Sequence, residues 1–338
     1  MFARNGERRP ITWKGTVVNT MNSLVPRQLR KTVGRYRWPL LLVSAGLVAA
    51  ALGCSPAPET PSNRDAPVHE AEILAFRQAR EERLRTPDGW LTLVGLHWLR
   101  EGRNPLGSDP ESRVILPEGK APALAGAFVV EGGRVRVEVA PGVPVSHEGR
   151  PVTSLELQND MQGDPTILAL GPLQFYVIER SGRLGIRVKD SESEALRSFT
   201  GLDYYPIEAS WRIEARYEPY DGPRTLEVPN FVGTPTQETS PGALVFEVEG
   251  TTYRMDAIPD DPSYVLVFAD STNGSETYGG GRFLRVELPA EVGPAVLDFN
   301  KAYNPPCVFT PYATCPLPPP RNKIAAAVRA GEKSYAGH

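Results

Sequence analysis

Short apolar runs, divided by turn residues, constrain the fold of this chain more than any other feature. The chain has 31 glycines and 34 prolines, and together with aspartate they separate the runs as strand boundaries do. The runs lie at residues 90–99, 114–116, 127–130, 135–139, 167–170, 175–178, 184–188, 211–217, 225–228, 243–248, 253–257, 264–268, 283–288 and 296–299. No helical crossovers, which parallel sheets require, fit between them. The sequence therefore predicts a mainly β protein built of antiparallel β-sandwich or barrel domains.

One amphipathic helix is predicted ahead of the strands. Residues 68–85 carry many charges, and their apolar positions recur at helical spacing. The residues near one apolar face are Val68, Ile73, Phe76 and Leu84. The fold class is thus mainly β, preceded by a single amphipathic helix.

Composition divides the chain into four parts. Residues 1–53 hold a basic stretch and an apolar run, and residues 54–67 form a Pro/Ser-rich segment predicted to be a disordered linker. Residues 68–190 are predicted to hold the helix and a β-sandwich. A boundary is placed near residues 191–206, which lack a strand pattern, and residues 203–338 are predicted to form a C-terminal β domain that carries the candidate site.

The apolar run of residues 40–53 follows a basic stretch and ends at Cys54. It is shorter than the roughly 18 residues that a membrane-spanning helix requires, and it is typical of a secretory signal peptide. Such signals have about 15–30 residues, so Met21 is a better translation start than Met1. The alternative is an uncleaved signal anchor in which the cysteine is incidental.

The segment that ends at Cys54 resembles the lipobox of bacterial lipoproteins. The resemblance implies that Cys54 is lipidated and becomes the first residue of the mature protein. Ser55 follows it where an aspartate would retain the protein in the inner membrane, which implies the periplasmic face of the outer membrane in a Gram-negative host. The predicted localisation is the cell envelope, with the lipid as the membrane contact.

Cleavage before Cys54 would leave an acidic protein. The mature chain would hold 28 basic and 39 acidic side chains, a formal charge of −11. Such a chain has no basic footprint for nucleic acid or anionic headgroups, so nucleic acid is excluded as a partner. The remaining partners are a small-molecule ligand or another envelope protein. Motifs of the HExxH, paired CxxC, GxSxG and GKS types are absent, so no metal and no cofactor is predicted.

Four longer motifs stand out in the chain: GWLTLVGLHWL, RLGIRVKD, DSTNGSETYGGGRF, and DFNKAYNPPC followed by YATCPLPP. In these motifs the chain resembles the DUF1684 family of uncharacterised bacterial and archaeal proteins, a resemblance that implies no established activity. Residues 100–117 and 127–152 are similar in rhythm to a forkhead-associated β-sandwich. Ala125 and Gly126 stand roughly where that fold carries its phosphothreonine-binding serine loop, so the resemblance implies the sandwich fold alone.

A polar loop, residues 270–282, is predicted between two strands. Asp270 and Arg282 flank it, and an arginine fork suits a carboxylate or a phosphate. The side chains proposed to bind a ligand are Thr272, Asn273 and Tyr278. The simpler interpretation is an ordinary loop whose glycines supply positive φ. A calcium site through Asp270, Asn273 and Glu276 is a further alternative, although the spacing lacks the alternation of an EF-hand.

A second polar cluster follows the last predicted strand. Asp298 and Asn300 are two residues apart and therefore project from one face of a strand. The further ligand-binding candidates are Lys301, Tyr303 and Asn304. A pair of prolines then breaks the strand. The alternative is that these side chains cap turns and satisfy buried backbone groups.

Cys307 and Cys315 are the cysteines that remain once Cys54 is lipidated. In an oxidising envelope, two thiols at this short separation are most simply a disulfide. A catalytic thiol is the alternative, and no Cys-His pattern accompanies it.

We expect residues 270–282 and 298–307 to meet in space and form one site. Residues 283–288 and 296–299 can pair as an antiparallel hairpin, which would bring the second loop to the strand end that carries Arg282. A polar cluster at one end of a sandwich is a natural position for a ligand.

Two functions compete for this predicted site. The preferred one is the binding of a small polar or anionic ligand, or of a partner, in a cleft between the two loops. The alternative is a hydrolase in which Asp298 or Asp270 is the general base and Arg282 stabilises developing negative charge.

The lipid anchor predicts the behaviour of one variant. Cys54→Ser should leave the unprocessed precursor in the membrane fraction and should no longer incorporate radiolabelled fatty acid, because the acceptor of the lipid is lost. Ser55→Ala serves as the control and should label like the wild type. Unchanged labelling of Cys54→Ser would exclude the anchor.

Overall fold

The computed structural model describes residues 66–335, except for residues 232, 234 and 261. The predicted signal peptide, Cys54 and residues 54–65 of the predicted linker lie outside the described residues. Among the helices that are described, none is both long and apolar enough to cross a membrane.

Helix α1 (Ala66–Leu84) opens the described part of the chain and begins two residues earlier than predicted. Ile73 and Leu84 are buried on it, whereas Val68 is 70% exposed. The predicted apolar face is therefore wrong at Val68, because the first helical turn leaves this side chain in solvent. The shorter helices are α2 (Glu194–Ser198) and the 3₁₀ turns Trp90–Thr92, Ala209–Trp211, Phe299–Lys301, Pro306–Val308 and Pro320–Asn322.

The N-terminal half forms two sheets. Its strands are β1 (Leu93–Trp98), β2 (Gly102–Gly107), β3 (Val114–Ile115), β4 (Gly126–Glu131), β5 (Arg134–Val139), β6 (Ser146–His147), β7 (Arg150–Pro151), β8 (Ser154–Leu157), β9 (Leu168–Leu170), β10 (Leu173–Arg180) and β11 (Arg183–Asp190). One sheet has the order β1-β11-β10-β9-β6-β7 and the other the order β3-β2-β4-β5-β8. The pairings are antiparallel apart from that of β2 with β3.

Alternation along the strands places apolar side chains between these two sheets. On β10, Leu173, Phe175 and Val177 are buried, and Phe128 is buried on β4 of the other sheet. The rings of Phe128 and Phe175 pack edge to face with centroids 6.2 Å apart, a geometry that aromatic pairs prefer. The predicted mainly β sandwich is thus confirmed, while the finer resemblance to a forkhead-associated domain stays a prediction.

The C-terminal half forms two further sheets. Its strands are β12 (Arg212–Val228), β13 (Thr236–Val248), β14 (Thr251–Asp256), β15 (Ile258–Asp260), β16 (Ser263–Phe268), β17 (Arg282–Val286) and β18 (Gly293–Asp298). The sheet orders are β14-β13-β12-β18 and β15-β16-β17. The pairings in both are antiparallel.

The predicted hairpin of residues 283–288 with residues 296–299 is wrong. β17 pairs with β16, and β18 pairs with the first part of β12. Residues 215–217 of β12 pair with β13 on one side and with β18 on the other. The two strands that we expected to pair therefore belong to different sheets.

Residues 322–332 run through the C-terminal core outside the named strands. Ile324, Ala326, Val328 and Ala330 are buried there, and this period of two is that of an extended chain. Since the segment lacks a continuous ladder, its backbone groups need partners elsewhere.

Phe299 lies at the centre of the C-terminal core. It is 0% exposed, and its ring centroid lies 6.2 Å from that of Trp211, 5.9 Å from that of Phe246 and 5.5 Å from that of Phe268. Phe246 belongs to β13 and Phe268 to β16, so the ring of Phe299 joins the two C-terminal sheets.

Truncation of this ring should be costly. Phe299→Ala should lower the free energy of unfolding by about 3–5 kcal/mol, the range for a buried phenylalanine. Val296→Ala is the control because Val296 is 42% exposed on the preceding strand, and it should change the value by less than about 0.5 kcal/mol. Urea denaturation measures both, and equal effects would contradict the central position of Phe299.

Candidate functional site

Asp270 and Arg282 flank the first predicted loop and form a buried ion pair. Arg282 Nη2 donates to Asp270 Oδ2 at 2.8 Å, and both side chains are 0% exposed. A pair without solvent contact offers no open position for a ligand. The two residues therefore do not form the expected cleft.

The loop between them folds onto itself. Asp270 Oδ1 accepts hydrogen bonds from the backbone nitrogen and the hydroxyl of Thr272 at 2.9 and 2.6 Å. Asn273 Nδ2 donates to the carbonyl of Tyr278 at 2.6 Å, and Gly274 takes a φ of 81° that glycine adopts readily. These contacts support the simpler interpretation of an ordinary loop.

Glu276, the third member of the calcium alternative, binds Arg329 instead. Arg329 Nη2 donates to Glu276 Oε1 at 2.9 Å, and Tyr205 donates its hydroxyl to Oε2 at 3.0 Å. The hydrogen bond from Arg329 is the main reason why the pKa of Glu276 is lowered. Asp270 and Glu276 thus hold different partners, and the described residues contain no cluster of three or more metal-binding side chains.

Arg282 also binds the extended C-terminal segment. Its Nη1 donates to the carbonyls of Ala330 and Glu332 at 2.5 and 3.2 Å, and its Nη2 donates to the carbonyl of Val328 at 2.7 Å. The backbone nitrogen of Val328 donates to Asp270 Oδ1 at 3.3 Å. The ion pair therefore supplies hydrogen bonds to a buried backbone that has no continuous ladder.

Asp298 and Asn300 form a second structural cluster. Asn300 is 1% exposed, and its Nδ2 donates to the carbonyl of Glu208 and to Asp298 Oδ1, each at 2.9 Å. Asp298 Oδ2 lies 2.7 Å from Nε2 of His69 on α1. Asn300 thus fixes the chain at Glu208, and Asp298 fixes the start of the helix.

The three remaining predicted residues have separate roles. Lys301 Nζ pairs with Glu72 of α1. The backbone of Tyr303 exchanges two hydrogen bonds with Phe283, both at 2.9 Å. Asn304 is 0% exposed and donates from Nδ2 to the carbonyl of Lys333 at 2.7 Å.

The two predicted loops therefore come together, although not as an open cleft. The backbone exchange of Tyr303 with Phe283 joins the second loop to the strand that carries Arg282. Glu332 adds a second link, because its Oε2 accepts from the backbone nitrogen of Asn304 at 2.8 Å. Most of the polar atoms chosen from the sequence serve this packing, and Tyr303 is the predicted residue that also lines a cavity.

The cavity lies where the C-terminal sheets meet the N-terminal sandwich, and its volume is about 60 Å³. Several water-sized groups fit into such a space. Its apolar wall belongs to the sheet β15-β16-β17 and includes Ile258, Val265, Val267 and Phe283, with Tyr303 packed edge to face on Phe283. The polar lining residues are Arg180, Asn230, Thr236, Glu238, Asp260 and Thr314.

Two ion pairs border the cavity. Arg180, at the end of β10, donates from Nη1 and Nη2 to the two carboxylate oxygens of Asp160 at 3.0 and 2.7 Å. Arg285 donates from Nε and Nη2 to Asp260 Oδ2 at 2.9 and 2.6 Å. In each pair the positive arginine balances the negative aspartate. The pairs therefore add polar atoms to the border of the cavity and no net charge.

Glu238 differs from the other charged groups of the cavity. It lies on β13 opposite the buried Leu226, and burial raises the pKa of its carboxyl against a smaller opposing effect of the hydrogen bond with Thr236. None of the ion pairs found among residues 66–335, with their three gaps, includes Glu238. A desolvated carboxyl without a cation in a cavity is a candidate for ligand contact.

The sequence reasoning missed Glu238, although β13 contained a signal for it. The buried residues of the strand that share its parity are Ser240, Gly242, Leu244, Phe246 and Val248. Glu238 continues this series by one step toward the start of the strand, so it points inward. Arg180 lines the cavity because the two halves of the chain contact each other there. No local sequence pattern predicts that contact.

Cys307 and Cys315 are free cysteines that touch each other. The backbone nitrogen of Cys307 donates to Cys315 Sγ at 3.1 Å. Cys315 is buried and Cys307 is half-buried. The disulfide expected from the sequence stays a prediction.

The comparison with known proteins identifies a family, and that family has no assigned activity. The model of the family described as "Protein of unknown function (DUF1684)" matches residues 197–333, whereas the similar motifs at residues 89–99 and 183–190 lie outside that match. A solution NMR structure of an uncharacterised protein from Haloarcula marismortui is 27% identical, covers 42% of this chain and 80% of its own, and has a TM-score of 0.36. No curated protein matches the chain.

Loss of the buried arginine should destabilise the fold. Arg282→Met should lower the free energy of unfolding by about 3–5 kcal/mol, because it leaves the carboxylate of Asp270 buried without its cation. The control is Arg329→Met, which removes a 60% exposed arginine from its ion pair with Glu276 and should lower the free energy of unfolding far less, because exposed ion pairs contribute little to stability. Denaturant titration measures both variants, and a stable Arg282→Met protein would return this residue to the list of ligand-binding candidates.

Proposed function

We propose that the protein, whose residues 197–333 belong to the DUF1684 family of unknown function, binds a small molecule in the cavity. We also propose that a lipid on Cys54 anchors it to the cell envelope. The observation that carries the ligand site is Glu238, a desolvated carboxyl in a mostly apolar cavity. The anchor rests on the lipobox-like residues that end at Cys54.

The ligand that suits this cavity is a small organic cation with an apolar body. Ile258, Val265 and Phe283 would contact the hydrocarbon part. An ammonium group would provide the charge partner that the carboxyl of Glu238 lacks, and it would favour the ionised form of that carboxyl. The neutral ion pairs at the border leave Glu238 as the charge that a ligand can compensate.

An anionic ligand, which was one of the classes expected from the sequence, has weaker support. It would meet the carboxyl of Glu238 in the cavity. Arg282, which was expected to bind the anion, is 0% exposed and already holds Asp270. The proposed function is therefore still ligand binding, but the proposed ligand is a cation and not an anion.

The hydrolase alternative also loses support from the geometry. A general base must come within hydrogen-bond reach of its substrate. Asp270 is enclosed with Arg282, and the oxygens of Asp298 contact His69 and Asn300. Neither aspartate lines the cavity.

Three probes of one shape test the charge of the ligand. Calorimetric titration compares ethylammonium, ethanol and propionate, which share an ethyl group that suits a cavity of about 60 Å³ and differ in the polar group. We expect ethylammonium to bind best and propionate least, because Glu238 attracts a cation. Equal binding of propionate and ethylammonium would contradict the proposed ligand class.

Two glutamate variants on the same strand locate the binding. Glu238→Gln should weaken ethylammonium binding about tenfold, a loss of about 1.4 kcal/mol. Glu247 also lies on β13 but is exposed, so Glu247→Gln should bind like the wild type. An unchanged affinity in Glu238→Gln would place the site elsewhere.

Glu238→Gln should also change the pH dependence of stability. The pKa of Glu238 is raised in the folded protein, so the wild type loses stability as pH rises through the unfolded and then the folded pKa of this carboxyl. The variant should therefore unfold at a higher temperature than the wild type near pH 7. Near pH 4 or below, where the carboxyl is mainly protonated in both states, the difference should shrink. Thermal unfolding at both pH values measures this, and a wild type that is the more stable protein at neutral pH would contradict the burial effect.

A further inference from the structure

Arg187 is a buried arginine that contacts Thr314, the residue before Cys315. It lies on β11 and is 5% exposed. Its Nη2 donates to Thr314 Oγ1 at 3.2 Å, and its guanidinium lies 5.3 Å from the ring centroid of Trp90. Its Nε has no hydrogen-bond partner, and no ion pair within the described part of the chain includes this arginine. A buried cation is unfavourable unless an anion lies nearby.

The anion that this neighbourhood can offer is a thiolate. Cys307 N–H donates to Cys315 Sγ at 3.1 Å, so the two cysteines are in direct contact. The hydrogen bond with Cys315 lowers the pKa of Cys307, and the charge of Arg187 lowers it further. Burial raises the pKa of Cys315.

The pair is therefore unequal in both access and acidity. Cys307 is half-buried and ionises first, while Cys315 is buried and keeps its proton. Tyr278 is the other titratable side chain at the pair, and burial raises its pKa to about 12. Tyr278 is thus neutral near pH 7, and Arg187 is the charged group that acts on the sulfurs.

We propose that Cys307 and Cys315 form a dithiol–disulfide exchange site, in which Cys307 attacks, Cys315 resolves and Arg187 positions and stabilises the attacking sulfur. The substrate class is a disulfide small enough to reach a half-buried thiol. This activity goes beyond ligand binding in the cavity and does not depend on it.

The exchange conserves atoms and electrons. The thiolate of Cys307 attacks one sulfur of the substrate, its S–S bond breaks, and the other sulfur leaves as a thiolate that takes up a proton. Cys315 then loses its proton and attacks the Cys307 sulfur of the mixed disulfide, which releases the second half of the substrate. Two cysteines are oxidised to a disulfide, and one substrate disulfide is reduced to two thiols.

Glutathione disulfide is the probe for this sequence of steps. The reduced full-length protein should form the Cys307–Cys315 disulfide and release two molecules of reduced glutathione. Cys315→Ser should stop at a glutathione adduct on Cys307, because the resolving thiol is missing. Cys307→Ser should form little adduct on the buried Cys315, and mass spectrometry distinguishes these products. Equal adduct formation on the two cysteines would overturn the assigned roles.

Arg187 is tested by the rate at which Cys307 reacts with iodoacetamide in the Cys315→Ser background. Arg187→Met should slow alkylation below the thiol pKa about tenfold, which corresponds to a rise of about one unit in that pKa. Arg187→Lys retains the charge and should keep most of the rate. An unchanged pH–rate profile in a folded Arg187→Met protein would overturn the role of the arginine.

The wild-type protein provides a test that does not depend on the folding of an Arg187 variant. Its Cys307 should be alkylated with a pH midpoint below that of an ordinary cysteine, about 8.5. A midpoint at or above that value, together with no disulfide formation from glutathione disulfide, would reduce the pair to a packing contact.

Discussion

The C-terminal half depends on the buried ion pair of Asp270 and Arg282. The pair joins three pieces of chain that no single sheet contains: the loop after β16, the start of β17 and the extended segment near the C-terminus. Arg282 satisfies carbonyl oxygens that are buried outside a continuous ladder, and Asp270 neutralises its charge. A buried guanidinium without that carboxylate would be strongly unfavourable. The polar loop of residues 270–282 therefore serves the packing of the protein, because its two end residues form this buried pair.

The cavity differs from the surrounding core in the way its charged side chains are paired. Arg180 and Arg285 each hold a carboxylate at its border, so their charges are balanced within the protein. Glu238 lies against apolar side chains, and its ionised form is disfavoured by burial. Glu238 therefore lowers the stability of the folded protein when it is ionised. Functional sites commonly contain such unfavourable residues, whereas the rest of a fold avoids them.

The sequence predicted the fold class because alternation of apolar residues is a local property. The N-terminal sandwich and most of the strand positions follow from that pattern, as does the helix before them. Strand pairing did not follow, because β18 pairs with β12, a strand far earlier in the chain, and no local pattern specifies so distant a partner. The site was predicted at Asp270, Arg282 and Asn300 since hydrogen-bonding side chains at strand ends serve both ligands and buried backbone. Burial distinguishes these uses, and it depends on residues distant in sequence: the final segment for Asp270 and Arg282, and Glu208 for Asn300.

The contacts of α1 set an order in which the chain can complete its fold. Arg80 on this helix binds Glu332, which lies 252 residues later in the chain, and His69 binds Asp298, 229 residues later. At synthesis rates of about 5–20 residues per second, the helix precedes its last partner by roughly 10–50 s. The strands between Leu93 and Asp190 include their own pairing partners, so the sandwich can close during this interval. The first described helix can contact residues 199–205 earlier, but it completes its contacts only when the end of the chain has been made.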